Sequence, residues 1–219
     1  MDELEFRTLL ARGYESRGVE FKGPGARSDS VLLAKVARAA MGMANRRDGG
    51  FVIIGVDDIN RTLVPTGLTA DQLRTWQYDD LAPAIAPFTD PTLQFDFEVL
   101  VSEHKSFVVL TVHEFAELPV LCAKDYQVRI EPRPRDPNAR RTVEISRRGA
   151  CYVRSRHKPE TSEIPSQEEM RELLDLAIVK GLKRYIEMTH RAGLSITATH
   201  VAPSTDAESF ARQVRQFLP

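Results

Sequence analysis

The chain has 219 residues, 42% of them hydrophobic, and its 30 lysine and arginine residues nearly balance 31 aspartate and glutamate residues. A chain of this length can bury one sizeable core, so we expect one main α/β domain. The two cysteines, Cys122 and Cys151, have no histidine or cysteine neighbours at metal-ligand spacing, which excludes a zinc knuckle and favours a reduced compartment. The acidic start of the chain and the absence of an apolar run of roughly 18 residues predict a cytoplasmic protein with no membrane partner.

The first half of the chain alternates between predicted helices and strands. Residues 2–12 place leucines among charged residues at helical spacing, and residues 19–22 form a short extended stretch. Residues 30–45 predict a helix that is apolar on nearly every side and therefore lies inside the domain. Residues 51–54, which follow a Gly-Gly turn, have the length and β-branching of a buried strand.

The middle of the chain predicts a helix, a hairpin and further strands. Residues 69–87 are predicted to be helical, and residues 93–114 are predicted to form two strands joined by a turn at 102–105. Shorter strands are predicted at 120–123 and 149–154. The arginine-rich and proline-rich residues between them predict an irregular basic loop from Arg129 to Arg148, because this composition buries little apolar surface.

The end of the chain is predicted to be helical. Ser166 and Glu169 form a capping box that begins a long amphipathic helix, which ends at Gly193. The same capping pattern recurs at Thr205 and opens a last helix that extends to Phe217. The fold class is therefore α/β (α+β), with a mixed sheet flanked by helices over residues 1–165 and a C-terminal helical extension over residues 166–219.

The charge of the chain is unevenly distributed along it. From Lys124 to Lys158 there are eleven basic residues against four acidic ones, a net charge of +7. Most of these residues are arginines, whose planar guanidinium suits phosphate oxygens. This pattern indicates a nucleic-acid partner, and the alternative is a solvated loop. The candidate contacts are Arg129, Arg133, Arg135, Arg140, Arg141, Arg147, Arg148, Arg154, Arg156 and Lys158.

Acidic residues near the N-terminus form a second candidate site. Glu15 and Glu20 lie five residues apart, Lys22 follows them, and Asp58 lies at the end of the predicted strand 51–54. Carboxylates held close together either bind a divalent cation or raise one another's pKa values. The alternative is that Glu20 and Lys22 form a surface ion pair and that Asp58 caps a turn.

These motifs, taken together and in this order, resemble the Schlafen AlbA-type domain over residues 13–175. The resemblance rests on Glu15 to Lys22, Ala44-Asn45 with the following Gly49-Gly50, Phe51 to Asp58, and Gly149 to Arg154. It implies a nucleic-acid-binding α/β domain and, by analogy with animal Schlafens, an endoribonuclease that acts on transfer RNA. It also implies Mg²⁺ or Mn²⁺ as cofactor, with Glu15, Glu20 and Asp58 as metal ligands and catalytic residues and Lys22 beside the phosphate.

Two functions from different classes follow from the sequence. The first is a metal-dependent endoribonuclease that acts on structured RNA such as tRNA, with RNA favoured over DNA. The second is a non-catalytic DNA- or RNA-binding regulatory or accessory module with the same fold. A nucleotide-binding protein is disfavoured because no Gly-x-x-x-x-Gly-Lys loop occurs. A homodimer formed through the helices after residue 166 would supply the second lobe that the animal enzymes have.

Overall fold

The structure, a computed structural model, describes residues 3–59, 62–130, 141–156 and 160–194. Its centre is a four-stranded mixed sheet, which confirms the predicted fold class. The strands are β1 (Val19–Lys22), β2 (Gly50–Ile54), β6 (Phe95–Ser102) and β7 (Lys105–Val112), in the order β1-β2-β7-β6. The β1 strand runs parallel to β2, and the other two pairs are antiparallel. The predicted 93–114 hairpin is therefore formed by β6 and β7.

Each face of the sheet has its own hydrophobic core because successive side chains of a strand point to opposite faces. On one face, helix α2 (Ser30–Ala44) packs against Val52 and Ile54 of β2. On the other face, Ile53 packs in a smaller core with Phe6 of helix α1 (Glu3–Arg12). The α2 helix is buried along most of its length, as its apolar composition predicts, and the Asp29 side chain caps its first turn.

The described residues also form four two-stranded units. One of them carries the acids that follow β2, and two others carry arginines of the second half. The pairs are β3 (Val56–Ile59) with β4 (Thr62–Pro65), β5 (Thr89–Asp90) with β8 (Leu121–Cys122), β9 (Tyr126–Ile130) with β10 (Arg141–Ser146), and β11 (Tyr152–Arg154) with β12 (Thr161–Glu163).

The helical stretch predicted over residues 69–87 is confirmed, but it is divided into three pieces. These are α3 (Ala70–Arg74), α4 (Tyr78–Ile85) and a 3-10 turn (Ala86–Phe88). The break follows from Trp76, which is buried and whose Nε1 donates to the Gly25 carbonyl at 2.9 Å. Burying this indole and satisfying its N–H redirects the chain between the two helices.

The irregular basic loop predicted from Arg129 to Arg148 is wrong for the described part of that stretch. Strands β9 and β10 form an antiparallel ladder, with Val128 opposite Val143. Ile145 is buried in the main core, and Val128 and Val143 pack against it. The apolar residues alternate with polar and charged residues, which is the pattern of a half-buried hairpin. The high arginine content obscured this alternation.

The long C-terminal helix is confirmed as α5 (Gln167–Arg191). The Glu169 N–H donates to Ser166 Oγ at 3.3 Å, and Leu173 and Leu176 are buried in the main core. By packing density the chain divides into two compact units, Met1–Lys180 and Gly181–Pro219. The domain boundary expected at residue 165 stays a prediction, and the last helix expected at 205–217 lies outside the described residues. Within the described ranges, no helix has the length and apolarity needed to cross a membrane.

Candidate functional site

The candidate site is a cleft of about 780 Å³ on one side of β1. Glu15, Glu20, Lys22 and Asp58 all line it, so the structure brings together the four residues that the sequence predicted there. The cleft also contains acids and a lysine that the sequence analysis did not select: Asp29, Asp57 and Lys35. Five acidic side chains against two lysines give the cleft an acidic balance.

Three neighbouring elements present these side chains. Glu20 and Lys22 are two residues apart on β1, so they lie on the same face of that strand. Asp57 and Asp58 belong to β3, which packs beside β1. Gly23, directly after β1, lies beside the Asp57 carboxylate, since a Cβ at this position would lie 2.9 Å from Asp57 Oδ1. The cleft therefore forms where the two strand ends converge.

Glu20 is buried, and three donors already hold its carboxylate. Arg154 Nη1 donates to Glu20 Oε2 at 2.6 Å, Thr161 Oγ1 donates to the same oxygen at 2.5 Å, and the Lys22 ammonium contacts Oε1. Burial alone would raise the pKa of Glu20, but the charges of Lys22 and Arg154 outweigh it and lower the pKa. The Glu20 carboxylate is therefore ionised and bonded to three donors.

The pKa of Glu15 is shifted in the opposite direction from that of Glu20. Burial, reinforced by the nearby Glu20 carboxylate, raises the pKa of Glu15, although the Phe21 N–H donates to its Oε1 at 2.8 Å and lowers the pKa in part. The Arg154 guanidinium is more distant, with Nη2 at 3.8 Å from Glu15 Oε2. The two glutamates thus share one arginine unequally.

The three predicted metal ligands line one cleft without converging as a ligand set. Asp58 is exposed on β3, whereas Glu20 is buried. A carboxylate has about four lone-pair sites, and three donors already contact that of Glu20. Among the described residues, no group of three or more acidic, histidine or cysteine side chains is arranged to hold a metal ion. The described arrangement therefore does not fit Mg²⁺ or Mn²⁺ bound by all three acids.

The predicted nucleic-acid contacts differ in their accessibility. Arg129 and Arg148 are exposed. Arg147 pairs with Glu163, and Arg156 pairs with two glutamates of α5. Arg154 is fully buried and cannot reach a phosphate without leaving Glu20. Outside the described residues lie Arg133, Arg135, Arg140 and Lys158, together with the side chain of Arg141.

The structure gives Asn45 and Tyr152 internal roles. Asn45 ends α2 and fills a buried polar gap. Its Nδ2 donates to the carbonyls of Val120 and Tyr152 at 2.8 Å, and its Oδ1 accepts from the Val120 N–H at 2.7 Å. Tyr152 is buried, and its hydroxyl accepts from the Arg147 N–H at 2.9 Å. No local spacing in the sequence identifies these hydrogen-bond partners. For the buried charge of Arg154, the hint in the sequence is that this arginine ends the apolar strand Tyr152–Arg154.

Comparison with known proteins gives a family match and two structural similarities. The model of the family described as Schlafen, AlbA_2 matches residues 15–163. The DIP2311 protein from Corynebacterium diphtheriae is 16% identical with a TM-score of 0.48, and the match covers 77% of this chain and 27% of that one. This chain thus spans about a quarter of that protein.

The second structure is the N-terminal domain of a RecG-related protein from Nitrosomonas europaea. It is 22% identical with a TM-score of 0.38, and the match covers 52% of this chain and 74% of that one. No curated protein matches the sequence at a significant level.

Proposed function

This chain belongs to the Schlafen AlbA_2 family, and from that premise we propose that it binds nucleic acid through the β9–β10 hairpin and its base. The observation that carries the proposal is the basic character of this region. Arg129 is exposed on β9, and Lys124 and Arg148 are exposed at the base of the hairpin. The sequence that connects the two strands, residues 131–140, adds Arg133, Arg135 and Arg140. Cations concentrated in one segment of the chain suit contact with a phosphate backbone that does not depend on its sequence.

Structured RNA is the partner class that this surface favours. The two aromatic side chains at the hairpin are engaged within the protein: Tyr126 donates to Ser30 Oγ at 2.7 Å, and Tyr152 is buried. Stacking on unpaired bases therefore contributes little, and contacts to the backbone dominate. An A-form helix is recognised mainly by its shape and backbone, which suits this chemistry.

The test is a binding titration with total tRNA and with duplex DNA over a series of salt concentrations. The double variant Arg129→Gln/Arg148→Gln should bind more weakly, with a salt slope lower by about two, because each phosphate contact contributes about one to that slope. The matched control, Arg7→Gln/Arg74→Gln, removes two exposed arginines from α1 and α3. Equal losses in both variants would show that net charge, and not this surface, governs binding.

A metal-dependent endoribonuclease is the second candidate function. The observation that favours it is the shared cleft of Glu15, Glu20, Asp58 and Lys22. A bound Mg²⁺ or Mn²⁺ would supply a Lewis acid and an activated water, but among the described residues Glu15, Glu20 and Asp58 are not arranged as one ligand set.

Cleavage of tRNA in the presence of Mn²⁺ or of EDTA tests this second candidate. Metal-dependent products should be lost in Glu15→Gln and in Asp58→Asn and kept in Asp71→Asn, which neutralises an exposed acid on α3. Titration calorimetry with Mn²⁺ tests metal binding separately from cleavage. If the wild type binds RNA without cleaving it, the result supports the non-catalytic binding module instead. The homodimer stays a prediction that light scattering of the full chain tests.

A further inference from the structure

Three guanidinium donors converge on one carboxylate at the start of α5. Arg17 Nη1 donates to Glu172 Oε1 at 3.1 Å and Arg17 Nη2 donates to Oε2 at 2.7 Å, which makes a bidentate pair. Arg156 Nε donates to the same Oε2 at 3.0 Å. Guanidinium groups arranged in this way bind carboxylates and phosphates in similar geometries. The Glu172 carboxylate thus occupies a site that also suits a phosphate group.

The side chain of Arg17 and the backbone of Arg156 are held by contacts that do not involve Glu172. Arg17 Nε donates to the Arg154 carbonyl at 3.0 Å, and the Arg156 N–H donates to Glu169 Oε1 at 2.9 Å. The site is also accessible, because the side chains of Arg17, Glu172 and Arg156 are 31%, 29% and 46% exposed. A polyanion could therefore approach without unfolding the domain.

The carboxylate and the arginines come from different parts of the chain. Arg17 and Arg156 lie within residues 15–163, which the family model matches, whereas Glu172 follows that range on α5. A second acid of α5, Glu168, lies 3.3 Å from Arg156 Nη1. The acidic start of α5 thus covers basic residues of the preceding domain.

We propose that Arg17 and Arg156 form a phosphate-binding site for the nucleic-acid backbone, and that the Glu172 carboxylate masks this site as an internal competitor. The inference rests on the proposed function. It extends the proposed interface from the β9–β10 hairpin to Arg17 and Arg156. Nucleic acid gains these contacts when its phosphate replaces the carboxylate. Because all three side chains are partly exposed, a phosphate can exchange with the carboxylate while the arginines stay in contact with water.

The test is the affinity of Glu172→Gln for total tRNA compared with wild type. Because this variant keeps the shape of the side chain and removes its charge, Kd should fall about three- to tenfold at low salt, and the salt slope should rise by about one. Asp175→Asn is the matched control, since it removes one exposed acid from the same helix. Adding Arg17→Gln to Glu172→Gln should return Kd to near the wild-type value.

Three results would overturn the inference. Equal gains in Glu172→Gln and Asp175→Asn would show a general effect of net charge, and a gain that survives Arg17→Gln would place the phosphate elsewhere. No binding by any variant would instead refute the proposed function, and this inference with it. If circular dichroism shows that Glu172→Gln is unfolded, Glu172→Asp serves in its place. Its shorter carboxylate should give a smaller gain that again needs Arg17, and the absence of a gain overturns the inference.

Discussion

Arg154 Nη1 lies 2.6 Å from Glu20 Oε2, and this buried ion pair joins β11 to β1 across 134 positions of the sequence. The same guanidinium donates from Nη2 to the carbonyls of Ser16 and Val19 at 2.8 and 3.0 Å. A fully buried arginine thus organises the segment that leads into β1 and carries Glu15. The pair makes Glu20 part of the architecture of the cleft, whatever chemistry the cleft performs.

We expect Arg154→Met to destabilise the domain strongly. It leaves the Glu20 carboxylate buried with one fewer cation, and breaking a buried ion pair from one side costs about 3–5 kcal/mol. Urea denaturation of wild type and variant measures this difference. Arg7→Met, which breaks an exposed pair on α1, is the control and should change the unfolding midpoint little.

The double variant Arg154→Met/Glu20→Gln separates the two partners of this pair. Removing both charges should recover a large part of the stability that Arg154→Met loses, because the unpaired charge is the main source of the loss. If the double variant is as unstable as the sum of the two single variants, the loss comes from the packing of the arginine stem and from its hydrogen bonds to the Ser16 and Val19 carbonyls, and the electrostatic account is wrong.

A pH dependence follows from Glu172. Hydrogen bonds from Arg17, reinforced by Arg156, lower the pKa of Glu172 from 4.5 to about 2. Because the pKa is lower in the folded state than in the unfolded chain, the stabilisation is fully present above pH 4.5 and is lost as the pH falls towards about 2. Glu172→Gln lacks this contribution, so the difference between the urea midpoints of wild type and variant should shrink over that range. A difference that does not change with pH would show that the ion pair contributes nothing.

Asn45→Leu tests whether this buried amide is structural. The substitution leaves the Val120 N–H and the Tyr152 carbonyl without their present partners, and each buried unsatisfied group costs about 1–3 kcal/mol. We expect a lower melting temperature and, at a temperature where the variant is folded, an unchanged Kd for tRNA. Weaker tRNA binding by the folded variant would show that Asn45 also supports the interface.

The sequence predicted those elements whose signals are local. Apolar composition identified α2, β-branching identified β2, and the capping residues at Ser166 identified the start of α5. The hairpin at β9 was missed because prolines and arginines in the connecting residues outweighed a period-two pattern in the strands. The family resemblance predicted that Glu15, Glu20 and Asp58 lie close together, and the three residues line one cleft. It could not show that Arg154 holds Glu20, because contacts between distant segments leave no spacing in the sequence.

The Gly49 position provides a last test, because its backbone requirement is strict. Its φ is +65°, and a Cβ there would lie 2.0 Å from the Val112 carbonyl oxygen. Gly49→Ala should therefore destabilise the domain by more than about 1 kcal/mol, since alanine is strained at positive φ and the β7 backbone cannot move away without disturbing its pairing with β2. Gly181→Ala, in α5 with no heavy atom within 4 Å of the added Cβ, is the opposite control. Alanine there should stabilise the helix by up to about 1 kcal/mol. Urea denaturation of both variants measures the change in the free energy of unfolding. Equal changes would mean that glycine at position 49 is not required by the backbone conformation.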